Sequence, residues 1–365
     1  MRNVNYQESS YVGSRGFSET SSFEPSALVP STAANGQPFR SAGAERILSA
    51  PAQDPHVLAH EGIYYYCEST AEGIFVRAAS NFLQLGTAFR RCVWTPPRRG
   101  AASKGIWAPE LQWLDGRFYI YFAADDGKNE NHRMSVLAAL SNDPLGDYAL
   151  VATFDTQGWA IDGTVLCQSN GDRFLVWSGW PGSSNGQQNL YIDQMVSPVE
   201  LRGSRVLIAT PDQSWERRGL PICEGPQVLQ RDGRTFLIYS ASGSWTEDYC
   251  LGLLAHEGAN FLDPQSWQKK GPVFSKNEYA WGVGHCGFVQ GDDGSSWLMY
   301  HAKTSRRPGW KDREVRAQRF GWNVDGTPIF CEPLPVPALP RQRTSARAPG
   351  ANPGLAGLTL SRFSA

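Results

Sequence analysis

Residues 224–245 read EGPQVLQRDGRTFLIYSASGSW: a polar opener, an apolar strand, an Asp-Gly turn and a second, aromatic-rich strand. Asp-Gly between two apolar runs is hairpin chemistry, because both central residues of a type I′ turn take positive φ. The same shape occurs four more times, as DPHVLAHEGIYYYCEST (54–70), APELQWLDGRFYIYFAADDG (108–127), IDGTVLCQSNGDRFLVWSGW (161–180) and HCGFVQGDDGSSWLMYHA (285–302). The openers Asp54, Glu110, Asp162, Glu224 and His285 recur at a nearly even interval along the chain. That interval is long enough for about four ordinary strands with their turns, which is one propeller blade. No sustained helical periodicity competes with this pattern. The expected fold is therefore all-β, a single five-bladed β-propeller over residues 48–338. The Ser/Gly/Ala-rich stretch 1–47 and the stretch 339–365, ending NPGLAGLTLSRFSA, have little to bury and read as disordered tails.

Asp162 to Trp177, Glu224 to Tyr239 and His285 to Tyr300 are equal separations, which places the three openers at one structural position in successive blades. The innermost strands of a propeller line its axis, so Asp54, Asp162, Glu224 and His285 are expected to converge on one small volume. A single acid at a strand end is ordinarily a solvated cap, but three in register in a repeat array point to chemistry. Like charge and burial raise one carboxyl pKa until it holds a proton near neutrality. A protonated and an ionised carboxyl facing one substrate make the pair that cleaves a glycosidic bond. Trp107, Trp180 and Trp245 stand near strand ends beside Gly, Ala and Ser, where an indole face suits a sugar ring as well as a core. His285 is a candidate to orient a carboxylate, to satisfy a buried polar site or to ligate a structural calcium or sodium ion; the chemistry itself requires no cofactor.

Composition narrows the partners. With 34 basic and 35 acidic side chains in 365 residues and no basic block, neither nucleic acid nor an anionic membrane is an expected partner. No apolar run approaches the roughly 20 residues of a membrane span. The N-terminal stretch from Met1 through Phe17 lacks the continuous apolar core of a secretory signal, so the chain as written reads as cytoplasmic, or as secreted if its start lies elsewhere. Seven cysteines without a CxxC pair fit free thiols better than a disulfide framework or zinc site. Zincin, P-loop, nucleophile-elbow and dinucleotide motifs are absent from the sequence.

At these residues the chain resembles glycoside hydrolase family 43, five-bladed propellers that act on arabinose- and xylose-containing polysaccharides. The resemblance covers about 50–335 and rests on DPHVL, WAPEL (107–111), AIDGTVL, EGPQVL, the SGW and SASGSW strand ends and RAQRFGWNVDGTPIF (316–330). It implies Asp54 as general base, Asp162 as the aspartate that tunes and orients the acid, and Glu224 as general acid, with inversion at the anomeric carbon. It also makes Arg316 a candidate for binding a sugar hydroxyl or a carboxylate. The substrate class implied is a plant-type polysaccharide or oligosaccharide, and the activity an α-L-arabinofuranosidase on arabinan or arabinoxylan. A β-xylosidase on the same scaffold and a non-catalytic sugar-binding propeller are the alternatives; a fructan-acting enzyme lacks its NDPNG and RDP motifs here. Two departures stand out: GHCGF (284–288) where GHNSF is expected, and Cys223 directly before Glu224.

Overall fold

The computed structural model describes residue 41 and residues 43–337. Five antiparallel sheets follow one another along the chain. Blade 1 contains His56–His60, Ile63–Thr70, Gly73–Ala79 and Arg90–Trp94. Blade 2 contains Lys104–Leu114, Arg117–Asp125, Arg133–Ala139 and Tyr148–Thr153. Blade 3 is built from Ala160–Cys167, Arg173–Gly179 and Asn189–Ser197, edged by Glu200–Leu201 and Val206–Ala209. Blade 4 is Cys223–Arg231, Arg234–Ala241, Cys250–His256 and Trp267–Phe274. Blade 5 takes Trp281–Gln290, Ser296–Lys303 and Arg313–Trp322 from the end of the chain, with Pro328–Ile329 beside the last. The helices among the described residues are four short 3-10 turns, and none is long and apolar enough to cross a membrane.

The hairpins form as their turn residues dictate. Glu61-Gly62, Asp115-Gly116 and Asp232-Gly233 have φ of 50° and 75°, 51° and 75°, and 50° and 75°, the two positive values that a type I′ turn requires. Five apolar clusters fill the five gaps between neighbouring blades, so each blade buries both faces. Tyr66, Tyr121, Trp177, Tyr239 and Tyr300, one on the second strand of each blade, are fully buried there.

The expected boundary at residue 48 is corrected. Ala44–Leu48 is a strand and forms the outer edge of blade 5, pairing Ala44 with Gln318, Arg46 with Arg316 and Leu48 with Val315. The reason lies in AERIL itself, whose Ala44, Ile47 and Leu48 are buried while Glu45 faces out. The ring is thus closed by strands from both ends of the chain. Residues 1–40 and 42 of the expected N-terminal tail, and the whole expected tail 339–365, lie outside the described residues.

Candidate active site

A β-bulge interrupts the innermost strand of blades 2 to 5, where the register slips between Trp107 and Glu110, Ile161 and Thr164, Glu224 and Gln227, and Gly284 and Gly287. Inside each bulge one residue has left-handed φ: Ala108 at 42°, Asp162 at 55°, Gly225 at 52° and His285 at 45°; Asp54, at 49°, holds the same place just ahead of blade 1. A bulge re-aims the side chain it carries, and non-glycine residues at positive φ concentrate at functional sites because the surrounding fold must hold them there.

One detail of the repeat is corrected. By ladder register Asp162 and His285 are equivalent to Gly225, and Glu224 stands one residue earlier. The equal separations in the sequence hid this because blade 3 joins Cys167 to Arg173 by a longer turn than the Asp232-Gly233 link of blade 4. Glu110 stands two residues beyond the bulge position, which Ala108 occupies in blade 2.

Asp54, Asp162, Glu224 and His285 do come together. His285 Nδ1 lies 3.4 Å from Asp54 Oδ1 and 4.0 Å from Asp162 Oδ2. The Gly225 backbone N–H donates to Asp162 Oδ2 at 3.1 Å, and the His285 N–H donates to Ser240 Oγ at 2.7 Å. Three groups not singled out from the sequence complete the site. His301 Nδ1 stands 3.3 Å from Asp54 Oδ1, off the line of a regular hydrogen bond, and Arg313 Nη1 is 3.7 Å from the same oxygen. The Tyr249 hydroxyl is buried next to Glu224. His301 was visible in LMYHA, one residue past Tyr300; its role depends on where the second strand of blade 5 ends, which no local pattern states.

The environment separates the acids. Burial opposes ionisation of Asp54, but His285, His301 and Arg313 outweigh it and hold the carboxyl well below the usual carboxylate range. His301, pushed down to about 4 by burial, is neutral at pH 7, so it contributes an N–H dipole and Arg313 the fixed positive charge. Asp162 and Glu224 go the other way. Both are raised to about 7, chiefly by burial; the Glu224 and Asp54 charges add to this at Asp162 against His285, and the Asp54 charge adds to it at Glu224 against Tyr249 and Arg313. These two buried carboxyls titrate as a pair and retain a proton near neutrality.

The remaining expected residues divide. Trp107 is half-buried and stacks on His132 at 3.9 Å, and Trp245 is half-buried, edge-on to Trp310 at 5.8 Å. Trp180 is corrected as a sugar platform: it is 2% exposed and stacked on Trp159 at 4.6 Å, so no face is open. Arg316 holds a carboxylate, one of its two expected roles, and is corrected only as a sugar-binding residue: its guanidinium donates to Glu314 Oε1 at 2.8 Å and to the Tyr279 carbonyl at 2.9 Å inside blade 5. Arg313, at the start of that strand, is the arginine that reaches the acids. Among the described residues no group of three or more His, Cys, Asp or Glu side chains has metal-holding geometry; the His285 ring nitrogen faces the Asp54 and Asp162 carboxyls. Of the two departures, Cys286 lies in the apolar cluster between blades 4 and 5, and Cys223 points away from the acids to Glu216 Oε1 at 3.4 Å.

The chain is similar to proteins of one known family. The family model for glycosyl hydrolases family 43 matches residues 45–328. An α-L-arabinofuranosidase 43 of Humicola insolens is 36% identical over 82% of this chain, and an extracellular exo-α-(1→5)-L-arabinofuranosidase of Streptomyces avermitilis is 34% identical over 81%. The matched stretches span 66% and 65% of those two proteins, just under two thirds of their length. The crystal structure of an α-L-arabinofuranosidase from Lactobacillus brevis superposes with a TM-score of 0.74 at 34% identity, covering 79% of this chain and 96% of that one. The fold, the converging acids and these matches together place the chain in glycosyl hydrolase family 43.

Proposed function

We propose that the chain is an inverting glycoside hydrolase that releases α-L-arabinofuranose from plant-type arabinan or arabinoxylan. The observation that carries this reading is the opposite tuning of neighbouring carboxyls, with Asp54 held ionised and the Asp162–Glu224 pair held partly protonated at neutral pH. Asp54 takes a proton from a water molecule as its oxygen attacks the anomeric carbon. The glycosidic C–O bond breaks with its electron pair on the leaving oxygen, which receives the Glu224 proton. Asp162, bound by the Gly225 N–H, is the aspartate that orients Glu224 and keeps its proton in place, and the Asp54 charge acts on Glu224 in the same direction. Names of relatives support arabinofuranose as the sugar released.

The test is a panel of 4-nitrophenyl glycosides followed by nuclear magnetic resonance of the first-formed sugar. The expected result is preference for the α-L-arabinofuranoside over the β-xyloside, with an inverted anomer as first product. Preference for the xyloside makes the chain a β-xylosidase, a retained anomer removes Asp54 as base, and sugar binding without turnover makes it a binding module.

A further inference from the structure

Glu110 takes no part in the chemistry above, yet it is buried directly beside it. Immediately past the bulge level, the five innermost strands place His56, Glu110, Thr164, Gln227 and Gly287 at equivalent points of the ladder. Gly287 leaves room for the chain itself, since a Cβ there would stand 2.6 Å from the Pro55 carbonyl oxygen. The other four side chains meet at one carboxyl. Gln227 Nε2 donates to Glu110 Oε1, Gln112 Nε2 donates to Oε2 at 3.4 Å, the Thr164 hydroxyl is a third partner, and His56 Nε2 stands 3.7 Å from Oε2.

The identity of these partners matters. His56 follows Asp54 by two residues, Thr164 follows Asp162 by two, and Gln227 follows Glu224 by three. A single carboxyl therefore touches each of the three segments that present an acid. A cavity of about 180 Å³ adjoins this cluster, lined by His56, Gln112, Thr164 and Gln227 and bordered by Val57, Val165 and Val228.

We propose that Glu110 is the positioning residue of this site, a hub whose hydrogen bonds fix the spacing of the segments carrying Asp54, Asp162 and Glu224. The proposal rests on the reading that those three acids perform the hydrolysis. Burial pushes the Glu110 carboxyl up to about 8, against the bonds from Thr164, Gln227 and Gln112 and with the help of the Asp162 charge. The other groups facing it, Cys67 and Cys286, are held as thiols, and His56, pushed down to about 3 by burial, is neutral. At pH 7 the hub is thus a neutral acid, whose shape an amide reproduces.

The experiment compares Glu110→Ala, Glu110→Gln, Thr164→Val and the Glu110→Ala/Thr164→Val double variant on 4-nitrophenyl α-L-arabinofuranoside, with thermal unfolding of each. Misplacement of reacting groups by a fraction of an ångström to an ångström is worth up to about 10²-fold, so Glu110→Ala is expected to lower kcat about 50-fold with KM within about threefold. Glu110→Gln is expected to recover kcat to within about fivefold of the parent, and Thr164→Val, which cuts one spoke, to lose about fivefold. The double variant should be no worse than Glu110→Ala, because both changes act through one hub. Unchanged kcat in Glu110→Ala, equal losses in the Ala and Gln variants, or additive losses overturn the proposal. If Glu110→Ala fails to fold, an unchanged kcat in Thr164→Val overturns it. A parent chain inactive on the arabinofuranoside overturns the functional reading itself, a result distinct from an active parent whose kcat ignores Glu110.

Discussion

Asp162 has φ of 55° inside a bulge, is 7% exposed, and faces a second carboxyl and a histidine. The left-handed φ, the burial and the second carboxyl are each unfavourable to a folded chain taken alone, and in the proposed mechanism they are kept because Asp162 holds the proton on Glu224 at neutral pH. Asp162→Asn keeps an acceptor for the Gly225 N–H and tolerates left-handed φ, but removes the charge. Without that charge Glu224 ionises more easily, so the alkaline limb of kcat/KM, set near 7 in the parent, is expected to move to lower pH; a limb that stays in place would show that Asp162 does not tune the acid. Glu224→Gln probes the proton itself. Loss of a general acid costs about 10²- to 10⁴-fold on a poor leaving group and much less on an activated aryl glycoside. Rates on arabino-oligosaccharide and on 4-nitrophenyl arabinofuranoside should diverge accordingly, and equal loss on both would remove Glu224 as the acid.

The Ala44–Leu48 strand does at the level of the element what no single residue can, closing a ring whose first and last blades are separated by most of the chain. Ile47 is buried among Leu85, Phe82 and Val315, and the close approach of its backbone explains Gly86, where a Cβ would collide with the Ile47 carbonyl. Truncating a buried Ile to Ala costs about 2–5 kcal/mol. Ile47→Ala is expected to lower the unfolding free energy by that amount in denaturant titration. Asp54 follows closely on this strand, so a loosened closure should also reduce kcat at temperatures where the variant remains folded. A change below about 0.5 kcal/mol, the usual size of a surface substitution, would mean that the closing strand adds nothing to the ring.

Across the whole molecule, two sets of buried groups oppose one another in pH. Glu110, Asp162 and Glu224 have folded pKa values raised to about 8, 7 and 7, so the native state keeps protons that the unfolded chain has released. Stability from this set is full below the ordinary carboxylate range, is lost progressively as pH rises above it, and is gone once pH has passed 7 to 8. His56 and His301, pushed down to about 3 and 4, and His132, also lowered by burial, behave oppositely, since below 6.5 the unfolded chain takes up protons that the native state refuses. Below 6.5 the histidines offset part of the carboxyl loss, and above 6.5 only the carboxyls remain. Asp54 and Glu247, held low, are ionised in the native state throughout this window. The unfolding free energy is therefore expected to fall from about pH 6.5 to 8. Chemical denaturation across that range decides it, and a free energy that rises from 6.5 to 8 would show that these carboxyls are ionised in the native state at neutral pH.

The five hairpins, their order and the convergence of Asp54, Asp162, Glu224 and His285 were legible in the sequence, because turn chemistry and strand alternation are local and a repeat shows itself in one dimension. AERIL as a closing strand was not, since its partner, Arg313–Trp322, lies near the opposite end of the chain and pairing across that distance leaves no local mark. The one-residue offset of Glu224, the choice of Arg313 over Arg316 and the covering of Trp180 by Trp159 were likewise decided by bulges and blade packing. Glu110 shows the division most sharply. Its presence in WAPEL is plain, but its joining of His56, Thr164 and Gln227 exists only where separate blades meet on one axis, and only there does burial give the carboxyl the proton it holds.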